Sequence, residues 1–260
     1  MGIISVTMVL PLIWMISASL KLETEVFSIP IKWIPNPVMW RNYAEVFIRA
    51  PFLIYYKNTI VLTIGTVVTQ LFTASLAGYV FARMDFPERD TLFLGYLGTL
   101  MVPYMVIMIP QFVIVRNLGL YDSLWAIYFI RAFNPFGTFL FRQFFMTLPS
   151  ELSASARIDG ASEFRIYRQI IMPLSLPAVA TLIIFFFSFT WNDFLGPLIY
   201  LSTDSKKTIQ LGLRSFVTLY NQDYAVMMAA AVLAMLPILT LYLLAQKYFI
   251  EGIAMTGIKS

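Results

Sequence analysis

The sequence predicts an all-α polytopic membrane protein with six transmembrane helices and one long polar segment, residues 149–177, between the fourth and fifth. Three observations predict it. Of 260 residues, 59% are hydrophobic and only 12% charged, against about 25% charged in a soluble domain. Mean hydropathy is +0.77. Apolar runs with few or no charges recur at lengths that suit a hydrocarbon core about 30 Å thick.

Residues 1–20 carry no charge and form the first expected span. A signal peptide is the competing reading, but no basic stretch precedes the apolar run. That lack suggests a native N-terminus that is longer or unusual. Residues 21–57 form a polar connection punctuated by Pro30, Pro35, Pro37 and Pro51. Asn36-Pro37 reads as a helix cap followed by proline at the first helical position. Trp40, Tyr43 and Phe47 would then share one face of an interfacial helix or of an ordinary packed one. The second span is 58–82, followed by a charged turn, 83–90. The third is 91–115, with Pro103 and Pro110 expected to kink it. The fourth, 124–141, is unusually polar, with Arg131, Asn134, Pro135 and Gly137. The fifth, 178–201, is interrupted by Asn192-Asp193 and Gly196-Pro197, and the sixth is 224–246. All of this is read as one membrane domain over 1–260.

Within 149–177, Ser150 is placed to cap a short helix and Glu151 lies in its first turn, where the helix dipole favours a carboxylate. Gly160 suits the left-handed backbone that ends such a helix. Ser162 is placed to cap a second helix. Phe164, Tyr167 and Ile171 fall on one face of it, with Arg165, Arg168 and Gln169 on the other. Pro173 and Pro177 are expected to end the pattern. A first helix this short does not hold alone in water, since isolated helices need roughly 12 residues or more. The segment is therefore either an amphipathic connector on the membrane surface or a piece seated against something else.

Several function classes are excluded. There is no Cys and no His, so no disulfide, zinc site, haem ligation or Cys/His nucleophile exists. The net charge of +4 is spread out, which disfavours nucleic acid as a partner. A phosphate-gripping loop needs Gly, four residues, then Gly-Lys-Ser/Thr opening a helix. The near match at Gly252–Ser260 has Ile258 between Gly257 and Lys259. No acid/base pair or metal cluster is apparent, so the chain is expected to be no enzyme and to hold no cofactor.

The wording of 149–177 resembles the cytoplasmic coupling loop of ABC-importer permease subunits. That family reads Glu-Ala-Ala, two residues, Asp-Gly-Ala, then an apolar position and Leu-Pro. Here stand Ala154-Ser155-Ala156, Asp159-Gly160-Ala161 and Met172-Pro173-Leu174. Ala154 occupies the position of the family's Glu, and Glu151 is the carboxylate one turn earlier. Phe81-Ala82-Arg83-Met84-Asp85-Phe86-Pro87 is similar to the family's turn after the second span. Asn134-Pro135-Phe136-Gly137 through Arg142-Gln143-Phe144-Phe145 and Trp191-Asn192-Asp193-Phe194-Leu195-Gly196-Pro197-Leu198 resemble its carbohydrate-uptake branch, as does the tail from Gln246 to Gly257. The pattern is that of the smaller, maltose-type permease subunit.

The resemblance implies a permease for a sugar or oligosaccharide in a bacterial or archaeal inner membrane. It implies a homologous second permease subunit, two cytoplasmic ATPase subunits that supply the energy, and an extracytoplasmic substrate-binding protein meeting loops 21–57 and 202–223. Glu151, Ala154, Ser155, Ala156, Asp159, Gly160 and Ala161 would couple to the ATPase. Both termini would be cytoplasmic. Loop charges do not decide this, with eight Lys/Arg on one side and nine on the other. Arg131, Asn134, Trp191, Asn192 and Asp193 are candidates for the translocation path, and Tyr128, Phe133 and Phe189 join Trp191 as candidates to stack on sugar rings. Arg131 and Asp193 each lie about eight residues from an outer span end, roughly 12 Å deep at about 1.5 Å per residue. They are expected near each other on the cavity side; the alternative is that each snorkels separately to the interface. A permease for another solute, or an ion-gradient transporter using Arg131 and Asp193, is the rival reading.

Overall fold

The computed structural model describes the backbone of residues 2–216 and 223–257 and the side chains of 7–216 and 223–244. The tail side chains that carry part of the family resemblance, and residues 217–222 of the 202–223 loop, lie outside this set. The described residues are helical: α1 Gly2–Ser19, α2 Arg41–Arg49, α3 Phe52–Arg83, α4 Arg89–Gly98, α5 Tyr104–Asn117, α6 Leu124–Arg131, α7 Pro135–Thr147, α8 Glu151–Ile158, α9 Glu163–Leu174, α10 Leu176–Trp191, α11 Leu195–Tyr200, α12 Ile209–Leu213 and α13 Tyr224–Gly257.

Among the described residues, two helices are long and apolar enough to cross a membrane unbroken, Phe52–Arg83 and Tyr224–Leu244. α3 begins at Phe52, where Pro51 opens it by accepting from the Ile54 and Tyr55 amides. Its 32 residues span about 48 Å at about 1.5 Å per residue. Two bent pairs reach the same length together: Arg89–Met101 with Tyr104–Asn117 at 97°, and Glu163–Leu174 with Leu176–Trp191 at 80°. Thr7–Ser19 is apolar but shorter.

Pro37, Pro173 and Pro177 act differently from expectation, and the bend expected at Pro103 is a full break of 97°. Pro103 breaks the helix outright, behind a tight turn over Thr99–Met101, whereas Pro110 sits inside α5. Pro173 lies within α9 and Pro177 in the first turn of α10, so neither ends a helix. The bend falls at Ser175, whose hydroxyl donates to the Ile171 carbonyl at 2.7 Å. Asn36-Pro37 caps no helix: α2 starts at Arg41, and the Met39 amide ties this stretch to the Leu20 carbonyl at 2.9 Å.

Two compact units emerge. The first comprises Met1–Val61 and Trp191–Thr240. Asn42 closes the end of α1 by donating to the Ser19 and Lys21 carbonyls at 2.9 and 2.8 Å, while Tyr43 meets the Ser19 hydroxyl at 2.8 Å. Tyr43 is therefore an inward anchor, and Trp40 and Phe47 remain exposed. Trp191 is buried, with its indole N–H on the Ala234 carbonyl at 2.9 Å and its ring against Tyr56. The Thr59 hydroxyl accepts the Ile209 amide at 2.9 Å and so caps α12.

The second unit is Leu62–Thr190 with Leu241–Ser260. Its core joins Tyr79 of α3, Phe141 and Phe145 of α7, Ile166, Tyr167 and Ile171 of α9, and Leu182 and Phe186 of α10. Gly137 lies where a Cβ would stand 2.5 Å from the Phe186 ring. Gly137→Val should therefore overpack this core and cost about 1–3 kcal/mol. A lowered thermal midpoint in detergent checks it.

Candidate functional site

The segment between α7 and α10 is built around a short helix. Ser150 does not cap α8: it is itself helical, at φ −68° and ψ −26°, and its side chain makes no cap bond. A capping residue needs an extended backbone to turn its oxygen onto the first amides. The far end of α8 is closed as expected. Gly160 sits at φ +79°. Its amide donates to the Arg157 carbonyl at 3.0 Å, and the Ala161 amide to the Ala156 carbonyl at 2.9 Å. This pair of bonds is a Schellman closure. Its apolar clasp, Ala156 and Ala161, packs against the core of the second unit. The Asp159 carboxylate accepts no hydrogen bond from the described residues.

α9 opens as the sequence predicts, with the Ser162 hydroxyl accepting the Arg165 amide at 3.4 Å. Its buried face differs. Ile166, Tyr167 and Ile171 are buried and Phe164 is exposed. The cause is a π-helical stretch over Tyr167–Ile171, which adds a residue to the turn and brings Ile166 and Ile171 to one side.

One ion pair links the two helices. Arg157 donates to Glu163 through Nε at 2.6 Å and Nη2 at 3.3 Å. The Tyr79 hydroxyl of α3 donates to the second Glu163 oxygen at 2.6 Å. The Arg157 guanidinium first, then the Tyr79 hydroxyl, hold the Glu163 carboxyl below the usual carboxylate range. A lowered carboxylate stabilises the fold above the ordinary range, and that contribution is lost as pH falls through the lowered value. One turn further along α3, Arg83 donates through Nη2 to the Phe145 and Leu148 carbonyls at 2.5 and 2.6 Å. Arg83 stood out only as part of the family-like turn 81–87, and neither Tyr79 nor Glu163 stood out in the sequence; the one signal for Glu163 is its place in the first turn behind the Ser162 cap.

The outward face of this segment is apolar at its tip. Ile158 is 87% exposed, and Leu152 and Phe164 are exposed with it. Glu151, Ala154, Ser155, Asp159 and Gly160 lie on the exposed side, while Ser153 is buried. A recess of about 380 Å³ is lined by Gly160, Ser162, Phe164, Arg165, Arg168 and Gln169. The segment thus presents a small apolar knob beside two cations.

The remaining candidates occupy two helix breaks. In the second unit, α6 stops at Arg131 and α7 starts at Pro135, so the fourth apolar run is not one helix. The Asn134 side chain accepts the Gly137 amide at 2.9 Å. The carbonyls freed by the break are met from α3: Gln70 donates to Arg131 at 2.9 Å and Thr73 to Ala132 at 2.7 Å. In the first unit, α10 stops at Trp191 and α11 starts at Leu195. Asp193 repeats the device, accepting the Gly196 amide at 3.2 Å. A Cβ on Gly196 would meet the other Asp193 oxygen at 2.4 Å. The exposed Asn192 accepts from Gln210 at 3.3 Å. Irregular backbone at membrane depth is tolerated only where protein or a water-filled cavity satisfies it.

Comparison with known proteins gives concordant results. Residues 74–254 match the profile of the family described as binding-protein-dependent transport system inner membrane component. The chain is 34% identical over 261 residues to the arabinooligosaccharides transport system permease protein AraQ of Bacillus subtilis (strain 168), covering 98% of this chain and 92% of that protein. It is 34% identical over 250 residues to the sn-glycerol-3-phosphate transport system permease protein UgpE of Yersinia enterocolitica, covering 92% and 87%. The crystal structure of a bacterial ABC transporter involved in the import of the acidic polysaccharide alginate contains a chain that superposes with a TM-score of 0.85 at 26% identity, covering 95% of this chain and 93% of that one.

Proposed function

The chain belongs to the binding-protein-dependent transport system inner membrane component family, and from that membership we propose how this permease subunit couples and what it carries. It is a multi-pass, all-helical protein of a bacterial inner membrane, part of an ABC importer and not itself catalytic. The proposed cargo is a sugar or oligosaccharide. Relatives named for arabinooligosaccharides and sn-glycerol 3-phosphate support that class.

In the proposed mechanism an extracytoplasmic binding protein delivers the solute, a homologous second permease subunit completes the path, and two cytoplasmic ATPase subunits grip the 149–177 loop. Six spans, with both termini and this loop cytoplasmic, form the proposed topology. The observation that carries the coupling role is the build of α8. Its inner side is clasped to the core through Ala156 and Ala161, and its tip leaves Ile158 to a partner. Glu151, Ala154, Ser155 and Asp159 are the proposed ATPase contacts, and Gly160 sets the turn. Arg131, Asn134, Asn192 and Asp193 supply polar groups to the path at the two breaks, with Trp191 as the buried pin of the second.

Reconstitution with all partners tests this. Uptake from a panel beginning with arabinooligosaccharides and sn-glycerol 3-phosphate should require ATP, the ATPase and the binding protein. Uptake driven by an ion gradient alone would overturn the reading. A second expected outcome concerns Gly160→Val. Its Cβ meets nothing within 4 Å, so the cost is the left-handed backbone alone, about 1–2 kcal/mol. The permease should stay folded and retain the ATPase about tenfold more weakly, measured by co-purification.

A further inference from the structure

α8 is fastened at both ends to one turn of one transmembrane helix. On the entry side, Arg83 of α3 holds the Phe145 and Leu148 carbonyls just before α8. On the exit side, Tyr79 of α3 holds Glu163, and Glu163 holds Arg157 in the last turn of α8. Tyr79 and Arg83 are four residues apart and so lie on one face of α3. The two fastenings differ in kind. The Arg83 bonds end on backbone in and just past the last turn of α7, whereas the Glu163 bonds reach the docking helix itself. Tyr79 is buried and wedged edge-on against Tyr167 of α9 at 5.5 Å. Tyr167 is in turn tied to α3 through the Ser75 hydroxyl at 2.8 Å. A displacement of α8 therefore has a short, stiff route into α3 that runs through one carboxylate.

We infer that Glu163 is the positioning residue that transmits movement of the docked α8 to α3, acting as a latch between Arg157 and Tyr79 and touching neither ATP nor solute. This rests on the reading that the ATPase docks on α8. A latch of this kind makes α8 and the end of α3 move as one piece. Without it, α8 still docks, but its movement is partly spent in the loop.

The chain has no native cysteine, which allows a direct test in the assembled complex with its ATPase and second permease. A fluorescent probe is placed on the exposed Ser150→Cys at the start of α8 or on the exposed Ile64→Cys in α3, and a non-hydrolysable ATP analogue is added. In the wild-type background both probes should respond. In Glu163→Gln, and more mildly in Tyr79→Phe, the Ser150 probe should respond as before while the Ile64 response falls about fivefold or more. The charge-swapped pair Arg157→Glu with Glu163→Arg should restore part of it. Tyr79→Phe removes one hydrogen bond only, so it decides the matter if Glu163→Gln fails to assemble. An unchanged Ile64 response in both variants would overturn the latch while leaving the docking reading intact. A silent Ser150 probe in the wild-type background would overturn the docking reading and the latch with it.

Discussion

Ile158→Glu should strip the ATPase subunits from the complex while leaving the permease folded. Ile158 ends α8 and is 87% exposed, so the free permease gains nothing from it and loses nothing without it. Its value lies in a cleft of the partner. Central apolar anchors of interfaces are worth about 2 kcal/mol or more when truncated, and a buried unpaired carboxylate adds a desolvation cost to that loss. A weakening of at least about thirtyfold is expected. Titrating purified ATPase onto detergent-solubilised permease measures it, with an unchanged thermal midpoint as the control. Tight binding by the variant would mean that α8 does not carry the docking face.

Asp193→Asn should impair transport far more than assembly. Asn keeps the side-chain oxygen that accepts the Gly196 amide, so the restart of α11 survives and only the negative charge is lost. Hydrogen bonds to charged groups are worth about 1.5–3 kcal/mol. If that charge serves the path, ATP-driven uptake should drop about tenfold to a hundredfold. The assay is uptake in proteoliposomes, normalised to the assembled complex. Wild-type uptake would remove Asp193 from the path. Asp193→Ala loses the cap as well, and should lower both uptake and stability.

The helical, polytopic class was legible because apolar runs need no tertiary context. The same holds for local backbone demands: Gly160 takes the left-handed turn and Ser162 caps α9 because both effects are decided within a few residues. What was hidden depended on distant partners. The break at 132–134 is held open by Gln70 and Thr73, some sixty residues earlier, and nothing near Arg131 announces them. The inward turn of Ile166 in place of Phe164 follows from a π-helical stretch that no 3.6-residue pattern anticipates. Ser150 misled because its residue type suits a cap while its backbone is already helical. Glu163 was visible only as one more surface carboxylate until Tyr79 met it from the other side.

The Schellman closure of α8 also bears on how fast the importer assembles. A helix of 8 residues would be mostly unfolded as a free peptide. A partner meeting such a peptide must wait for it to order, or bind it loosely and order it afterwards. Here the Gly160 and Ala161 amides and the Ala156–Ala161 clasp have already fixed the chain before any encounter. Ordering entropy is then absent from the association step. Collisions between permease and ATPase should be limited by orientation alone, within the roughly 10⁵–10⁷ M⁻¹s⁻¹ usual for preformed surfaces. Substitutions at the exposed tip should then show themselves in how long the subunits stay together, and Gly160 variants, which loosen the closure, in how often an encounter succeeds.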